Sequence, residues 1–402
     1  MSWEKVRLGD VTDSCLGKML DQAKNKGEYQ PYLANVDVRW GSFDLDNLSE
    51  MRFEDDEQER YGLKYGDLVI CEGGEPGRCA IWKDQIPNMK IQKALHRVRT
   101  HDCLDNRYLY YWFLLAGKTG ALEQYFTGAT IKHMPGQKLK SVIIDIPPIE
   151  VQRRIADILW VYDDLIENNQ KQIKLLEEAV QRLYKEWFVD LRFPGHETTP
   201  ISDGIPEGWT ERSIADVCIR IGAGGTPSRS NGTYWKPSTI KWFKTGELMD
   251  CWLLDSSEKI SEEGLSHSSA KLFPPNTILM AIYASPTLGR LGILTTEAAC
   301  NQAALCLVAN GSLISWQWLY QKLYELRDEF NAVAKGAGQQ NISADVVKKK
   351  VIIIPNKECI DRYTSIVAPM FDVIRTLQEQ NVQLQEARDR LLPKLMNGEI
   401  EV

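Results

Sequence analysis

The sequence predicts two α/β (α+β) domains joined by two long helices that form an antiparallel intramolecular coiled coil, arranged as a pseudo-two-fold internal repeat. Three observations carry this expectation. First, "VIIDIPPIEVQRRIADIL" (142–159) returns as "KVIIIPNKECIDRYTSIV" (350–367). Second, one offset of 208 residues sets Pro147 on Pro355, Arg154 on Arg362 and Ile158 on Ile366, and a constant offset marks a duplication. Third, the apolar residues that follow each phrase recur in alternating steps of four and three, which is the seam of a coiled coil.

The repeat aligns without a gap from Gly128 to Phe188 on Gly336 to Met396. Upstream it weakens: Trp3 matches Trp209, "PGRCAI" (76–81) echoes "LGRLGI" (288–293), and "IQKAL" (91–95) echoes "NQAAL" (301–305). Each half is therefore a divergent block followed by a better-matched one. The boundaries read 1–149 for the first block, 150–190 for its helix and 191–208 for a Pro/Gly/Ser/Thr linker. They continue as 209–357 for the second block, 358–396 for the second helix and 397–402 for a tail. In the divergent blocks, short β-rich runs such as "GDLVICEGG" (66–74) and "NTILMAIYAS" (276–285) alternate with Gly/Pro turns. "RYLYYWFLLAG" (107–117) and "QWLYQKLYELRDEF" (317–330) read as helices.

The first seam runs Ile155, Leu159, Tyr162, Ile166, Asn169, Ile173, Leu176, Val180, Leu183 and Trp187. The second runs Tyr363, Val367, Met370, Ile374, Leu377, Asn381, Leu384, Arg388, Leu391 and Leu395. Prolines 147, 148 and 355 sit before the helices, where proline is tolerated. Helices of this length reach about 50 Å at ~1.5 Å per residue. Set antiparallel so that positions sum to 550, Ile155 meets Leu395, Leu159 meets Leu391, and Asn169 meets Asn381. A buried Asn pair fixes register at some loss of stability; the plainer reading leaves both asparagines at the edge of the seam.

Composition bounds the function. The 402 residues are 43% hydrophobic and 26% charged, an ordinary globular balance. No apolar stretch approaches the ~18 residues that span a bilayer, and "MSWEKVRLGD" lacks the apolar core of a signal peptide. Nine scattered cysteines without a CxxC pair fit a reducing, cytoplasmic setting. Net charge is −7 overall, −2 over residues 1–149 and +3 over 209–357, which by itself gives no support for DNA binding.

Catalytic patterns are wanting. "AGKTG" (116–120) imitates the end of a phosphate loop, but Trp112 stands where the first glycine is required. "DIPPIE" (145–150) is similar to the Asp/Asn-Pro-Pro-aromatic motif of amino-methyltransferases, yet an extra Ile intervenes and no aromatic follows. The five histidines show no metal-ligand spacing and no metal is expected. Asp67, Glu72 and Glu75 could imitate a nuclease metal site, without a lysine at useful spacing. The expectation is no enzyme.

Loops rich in Gly, Asn, Gln, Arg and Lys suit recognition instead, since Arg and Lys fit guanine edges and phosphates while Asn and Gln fit adenine. The DNA-contact candidates are Arg39, Arg78, Lys132, His133, Arg229, Lys244, Arg290, Gln339, Gln340 and Asn341. For any one of these side chains, turn-forming is the commoner reason for its presence. Arg78 and Arg290 stand out because they recur in both halves, though a repeated Arg also suits a structural ion pair.

Two divergent blocks alternating with two heptad helices, the first ending "LYKEWFVDLRFPG" and the second "LLPKLMNGEI", resemble the specificity subunit of type I restriction–modification systems over essentially the whole chain. The resemblance implies that 1–149 and 209–357 are DNA target-recognition domains, each reading half of a split, asymmetric site in double-stranded DNA. It implies that the helices space these domains and dock two methyltransferase subunits, with restriction subunits joining for cleavage. On this likeness the chain binds no cofactor itself: S-adenosylmethionine belongs to the methyltransferase, and ATP and Mg to the restriction subunit. The alternative is a coiled-coil scaffold whose heads bind proteins.

The seam generates a test. Asn169→Leu alone leaves Asn381 facing an apolar partner and loses about 1–3 kcal/mol of stability in urea denaturation. Replacing both asparagines by Leu recovers that loss; additive losses would refute the pairing.

Overall fold

The computed structural model describes residues 3–21, 25–283, 287–334 and 341–402. The chain divides into two compact units, Met1–Asn168 with Asn381–Val402, and Asn169–Gln380. Each unit contains one divergent block together with a stretch of both long helices.

In the first unit, four antiparallel strands lie in the order Thr12–Leu16, Leu95–Thr100, Leu68–Cys71, Cys79–Ile81. The run Leu68-Val69-Ile70-Cys71 is fully buried, as expected of a strand covered on both faces. A second sheet sets Glu28–Leu33 antiparallel to Ser49–Phe53 and parallel to Lys90–Ile91. Glu4–Arg7 pairs with Ile143–Ile146 just before the first long helix. The predicted helix forms over Asn106–Thr119. Asp105 caps it by accepting from the N–H groups of Arg107 and Tyr108 at 2.9 and 3.1 Å. Gly120 ends it at φ +74°, the left-handed conformation glycine favours at that position. The phosphate-loop look-alike is thus a helix terminus.

The second unit repeats this plan. Its main sheet runs Cys218–Ala223, Ala304–Ala309, Ile278–Ala281, Leu291–Leu294, with Cys251–Leu253 added parallel at the edge. The smaller sheet sets Ile240–Phe243 antiparallel to Glu258–Ile260 and parallel to Ala299–Cys300. Thr210–Ser213 pairs with Val351–Ile354. The single helix expected over 317–330 is two, Trp316–Glu325 and Arg327–Val333. The break falls where Arg327 turns to the Asp250 carboxylate and donates from Nε to the Gly289 carbonyl at 2.9 Å.

The long helices span Ile149–Tyr184, with a π turn over Lys185–Val189, and Lys357–Met396. Every predicted seam position on both is buried or partly buried. In the first unit, Ile155 and Leu159 share an apolar cluster with Leu391, Leu392 and Leu395. In the second, Leu176 and Val180 share one with Met370, Phe371 and Ile374. Early residues of one helix meet late residues of the other in both units, so the pairing is antiparallel. Arg388 occupies a seam position because its charge is answered there: it pairs with Asp163, which also accepts from the Tyr111 hydroxyl at 2.7 Å. Lys118 pairs with Asp389 beside it.

The stretch 191–208 departs from a plain linker. Phe193 is 4% exposed, with its ring centroid 5.0 Å from that of Trp209, and Ile201–Ser202 pairs with Ile205–Pro206. An aromatic side chain thus anchors the stretch to the second unit's core.

One half-buried carboxyl group sits on the first helix in this unit. Glu177 lines a cavity of about 70 Å³ with Asp250, Trp252, Tyr320 and Phe371. Burial, and then the neighbouring Asp250 carboxylate, push its carboxyl up to about 7. Between the ordinary carboxylate range and pH 7 the folded chain therefore holds a proton that the unfolded chain has released. Stability falls as pH rises through that window. We predict that Glu177→Gln has little effect on the melting temperature at pH 4.5 but stabilises the chain above pH 7, by at most about 3 kcal/mol. Melting curves across pH check this; a pH-independent difference would refute it.

Candidate nucleic-acid interface

Three loops meet at one end of the first domain's main sheet: the turn Asn35–Asp37, the hairpin between Cys71 and Cys79, and the segment 127–134. The Asn35 side-chain amide donates to the Gly73 carbonyl at 2.8 Å. Gly73 bridges to His133, and the Met134 N–H donates to the Glu72 carbonyl at 2.7 Å. His96, buried under this loop, holds the Met134 carbonyl at 2.9 Å from Nε2, and its burial lowers its pKa toward the neutral form. The sequence thereby places Lys132 and His133, both exposed, beside the hairpin that carries Arg78.

The second domain builds the same corner with the same backbone bonds. Tyr283 bridges to Asn341 as Gly73 does to His133. The Ile342 N–H donates to the Ile282 carbonyl at 2.9 Å, the counterpart of Met134 on Glu72. In the hairpins, the N–H groups of Cys71 and Ala281 donate to the carbonyls of Arg78 and Arg290 at 2.8 and 2.9 Å. Gly77 and Gly289 turn both hairpins at φ +93° and +78°. Asn341 thus occupies the place of His133. Gln339 and Gln340 lie outside the described residues.

The repeated arginines have separate fates. The Arg78 guanidinium is turned inward, donating from Nη2 to the Asn35 carbonyl and Oδ1 at 3.0 and 3.1 Å and from Nη1 to Glu75 at 3.0 Å. Glu75 also accepts from the Trp40 indole at 2.7 Å. This is a loop-holding network, as the ion-pair reading expected. Among the described residues the Arg290 guanidinium meets the Met249 sulfur, at 3.4 Å, and no carboxylate pairs with it. Of the two, Arg290 keeps its hydrogen-bonding capacity for a ligand.

Three of the other cations, Arg39, Arg229 and Lys244, are held in pairs. Arg39 reaches Asp44 at 3.3 Å, both half-exposed. Arg229 and Lys244 share Glu258, which their hydrogen bonds hold below the usual carboxylate range. The Arg229 guanidinium also lies 3.8 Å from the Trp235 ring centroid and 5.3 Å from that of Trp242. Lys244 opens the turn Thr245–Glu247, the counterpart of Asn35–Asp37, so Glu258 joins this turn to the loop that bears Arg229. Asn169 is buried and Asn381 half-buried, both within the long helices and away from the loops.

The supposed carboxylate trio is not a metal site among the described residues. Asp67 is buried against Arg99, with oxygens 2.7 and 3.1 Å from the guanidinium, and Glu75 serves Arg78 and Trp40. One pair escaped sequence reasoning. Arg52 lies over Tyr29 at 4.8 Å, and Tyr29 is 60% exposed. These residues face each other only through the register of two strands, so no local pattern announces them. Exposed donors suit phosphate contact and exposed rings suit base stacking.

Comparison with known proteins identifies the family. Residues 1–178 and 206–390 match the type I restriction modification DNA specificity domain. The chain is 28% identical over 345 residues to the type I restriction enzyme MjaIX specificity subunit of Methanocaldococcus jannaschii, covering 84% of this chain and 78% of that protein. It is 23% identical to the HindI specificity subunit of Haemophilus influenzae over 99% of both chains. In fold it is similar to the crystal structure of a type I restriction–modification system S subunit from M. genitalium, at 15% identity and a TM-score of 0.58 over 98% of this chain and 96% of the other. With two matched domains spanning nearly all of its length, the chain belongs to the DNA specificity family of type I restriction–modification systems, in which the part it plays is recognition rather than catalysis.

Proposed function

We propose that the chain reads a split, asymmetric DNA site, one half with each domain, and directs two adenine methyltransferase subunits and restriction subunits to it. One observation carries the reading. The recognition corner is rebuilt in both domains on the same backbone hydrogen bonds, yet it presents Lys132, His133 and an inward Arg78 in one, and Lys244, an available Arg290 and Asn341 in the other. Matched scaffolds with unmatched side chains suit two different half-sites. The helix pair then sets the length of unread DNA between them.

Most cations in these loops already have a carboxylate partner. A DNA phosphate must compete with Glu258 for Arg229 and Lys244, and with Asp44 for Arg39. Affinity of the lone chain is therefore modest, and phosphate contacts are shared with partner subunits. Methyl transfer and cleavage reside in those partners: S-adenosylmethionine on the methyltransferase, ATP and Mg on the restriction subunit.

The direct experiment is a methylation map. Expressed with the methyltransferase encoded beside it, the chain is expected to direct adenine methylation to a two-part motif with a fixed gap, lost on deletion of its gene. Methylation unchanged by that deletion would favour a scaffold whose heads bind proteins. At residue level, Arg290→Ala weakens binding of the partnered complex by about 1–3 kcal/mol at one half-site without changing the melting temperature. Arg78→Ala instead lowers the melting temperature, because it strips Asn35 and Glu75 of a partner. Fluorescence polarisation and thermal melting separate the two; equal effects from both variants would refute the assignment.

A further inference from the structure

The first unit contains an apolar groove of about 690 Å³, lined by Trp3, Ile146, Pro147, Val151, Ile400 and Val402 among others. It lies where the edge strand, the start of the first long helix and the segment after the second long helix converge. The internal repeat shows what such a place looks like when filled. In the second unit the chain leaves the first helix as it leaves the second helix in the first unit. The Arg192 N–H donates to the Glu186 carbonyl at 2.8 Å, and the Ile400 N–H donates to the Lys394 carbonyl at 3.2 Å, residue for residue at the repeat offset.

One residue further the copies part. Phe193 is buried against Trp209, the counterpart of Trp3, in one apolar cluster with Ile354, Cys359 and Tyr363. Those three match Ile146, Val151 and Ile155. With the phenyl ring in place, Ile354 and Cys359 are 5% and 7% exposed, whereas Ile146 and Val151 remain only half-buried. Glu401 stands at the position of Phe193. The groove is thus built as an aromatic socket, and the ring is not supplied from the equivalent position of this chain.

We propose that this groove docks an aromatic side chain carried on a short, cationic segment of a partner protein. The aromatic character follows from the ring that fills the twin site. The positive flank follows from Glu4 and Glu401, the two carboxylates that line the groove. The inference does not rest on DNA recognition, and the groove's lining shares no residue with the recognition loops.

The test uses the full chain and a synthetic peptide, KLRFPGK, whose centre copies residues 191–195. Titration calorimetry measures binding. The alkylation rate of Cys103, an exposed thiol lining the groove, locates the site when read by mass spectrometry. We expect saturable binding that slows Cys103 alkylation and weakens about tenfold or more when the peptide's Phe is replaced by Ala. Glu401→Phe fills the socket from within and abolishes peptide binding, with Cys103 protected in the free protein. Val151→Glu abolishes binding through the opposite wall, so misfolding of one variant leaves the other informative. No binding at millimolar peptide, equal binding of the Ala peptide, or binding undisturbed by these variants overturns the proposal.

Discussion

The fold depends on apolar faces that no single element can bury alone. Each long helix shows its seam to the other helix and, near each end, to a globular domain. In the first unit Ile155 and Leu159 of one helix and Leu392 and Leu395 of the other close over Tyr108, Leu139 and Ile144 in one cluster. In the second, Val180, Tyr184, Tyr363 and Phe371 close over Ile293, Trp318 and Leu323. Burial of a large apolar side chain contributes roughly 1.5–3 kcal/mol, so these contacts outweigh any surface ion pair in the chain. Domain core and helix pair are consequently one hydrophobic body in each unit, and the helix pair cannot be removed without opening the domain core.

Duplication shows which parts of that body are constrained. Backbone bonds recur position by position, from the hairpin carbonyls of Arg78 and Arg290 to the bridges at His133 and Asn341. Side chains in the same corner diverge. Gln152 and Ile360 are a further case: both are buried at matching helix positions, yet Gln152 spends its amide on the Cys103 and Pro147 carbonyls and the Asp105 N–H, while Ile360 fills space. A backbone scaffold that satisfies its own polar groups tolerates changes in what it displays.

Charge is managed with equal economy. The loops carry cations without making the chain basic, because Glu258, Asp44 and Glu75 each answer a guanidinium or ammonium. Such pairs hold long side chains in place and contribute little to stability when exposed.

By itself the sequence determined the duplication, both helices, the phase of their seam and their antiparallel sense. These features are periodic, and a period reports which face of an element must leave water. The strong apolar runs Leu68–Cys71 and Ile278–Ala281 were legible as strands for the same reason. Only the tertiary structure decided which Arg of the repeated pair is spent on its own loop, that Arg229 and Lys244 converge on Glu258, and that Tyr29 meets Arg52. It also decided that Phe193 is a plug where the chain reads as a linker, and that Leu326 interrupts a helix. A long side chain takes its partner from strand register and loop closure across tens of residues. Local pattern carries no record of that distance.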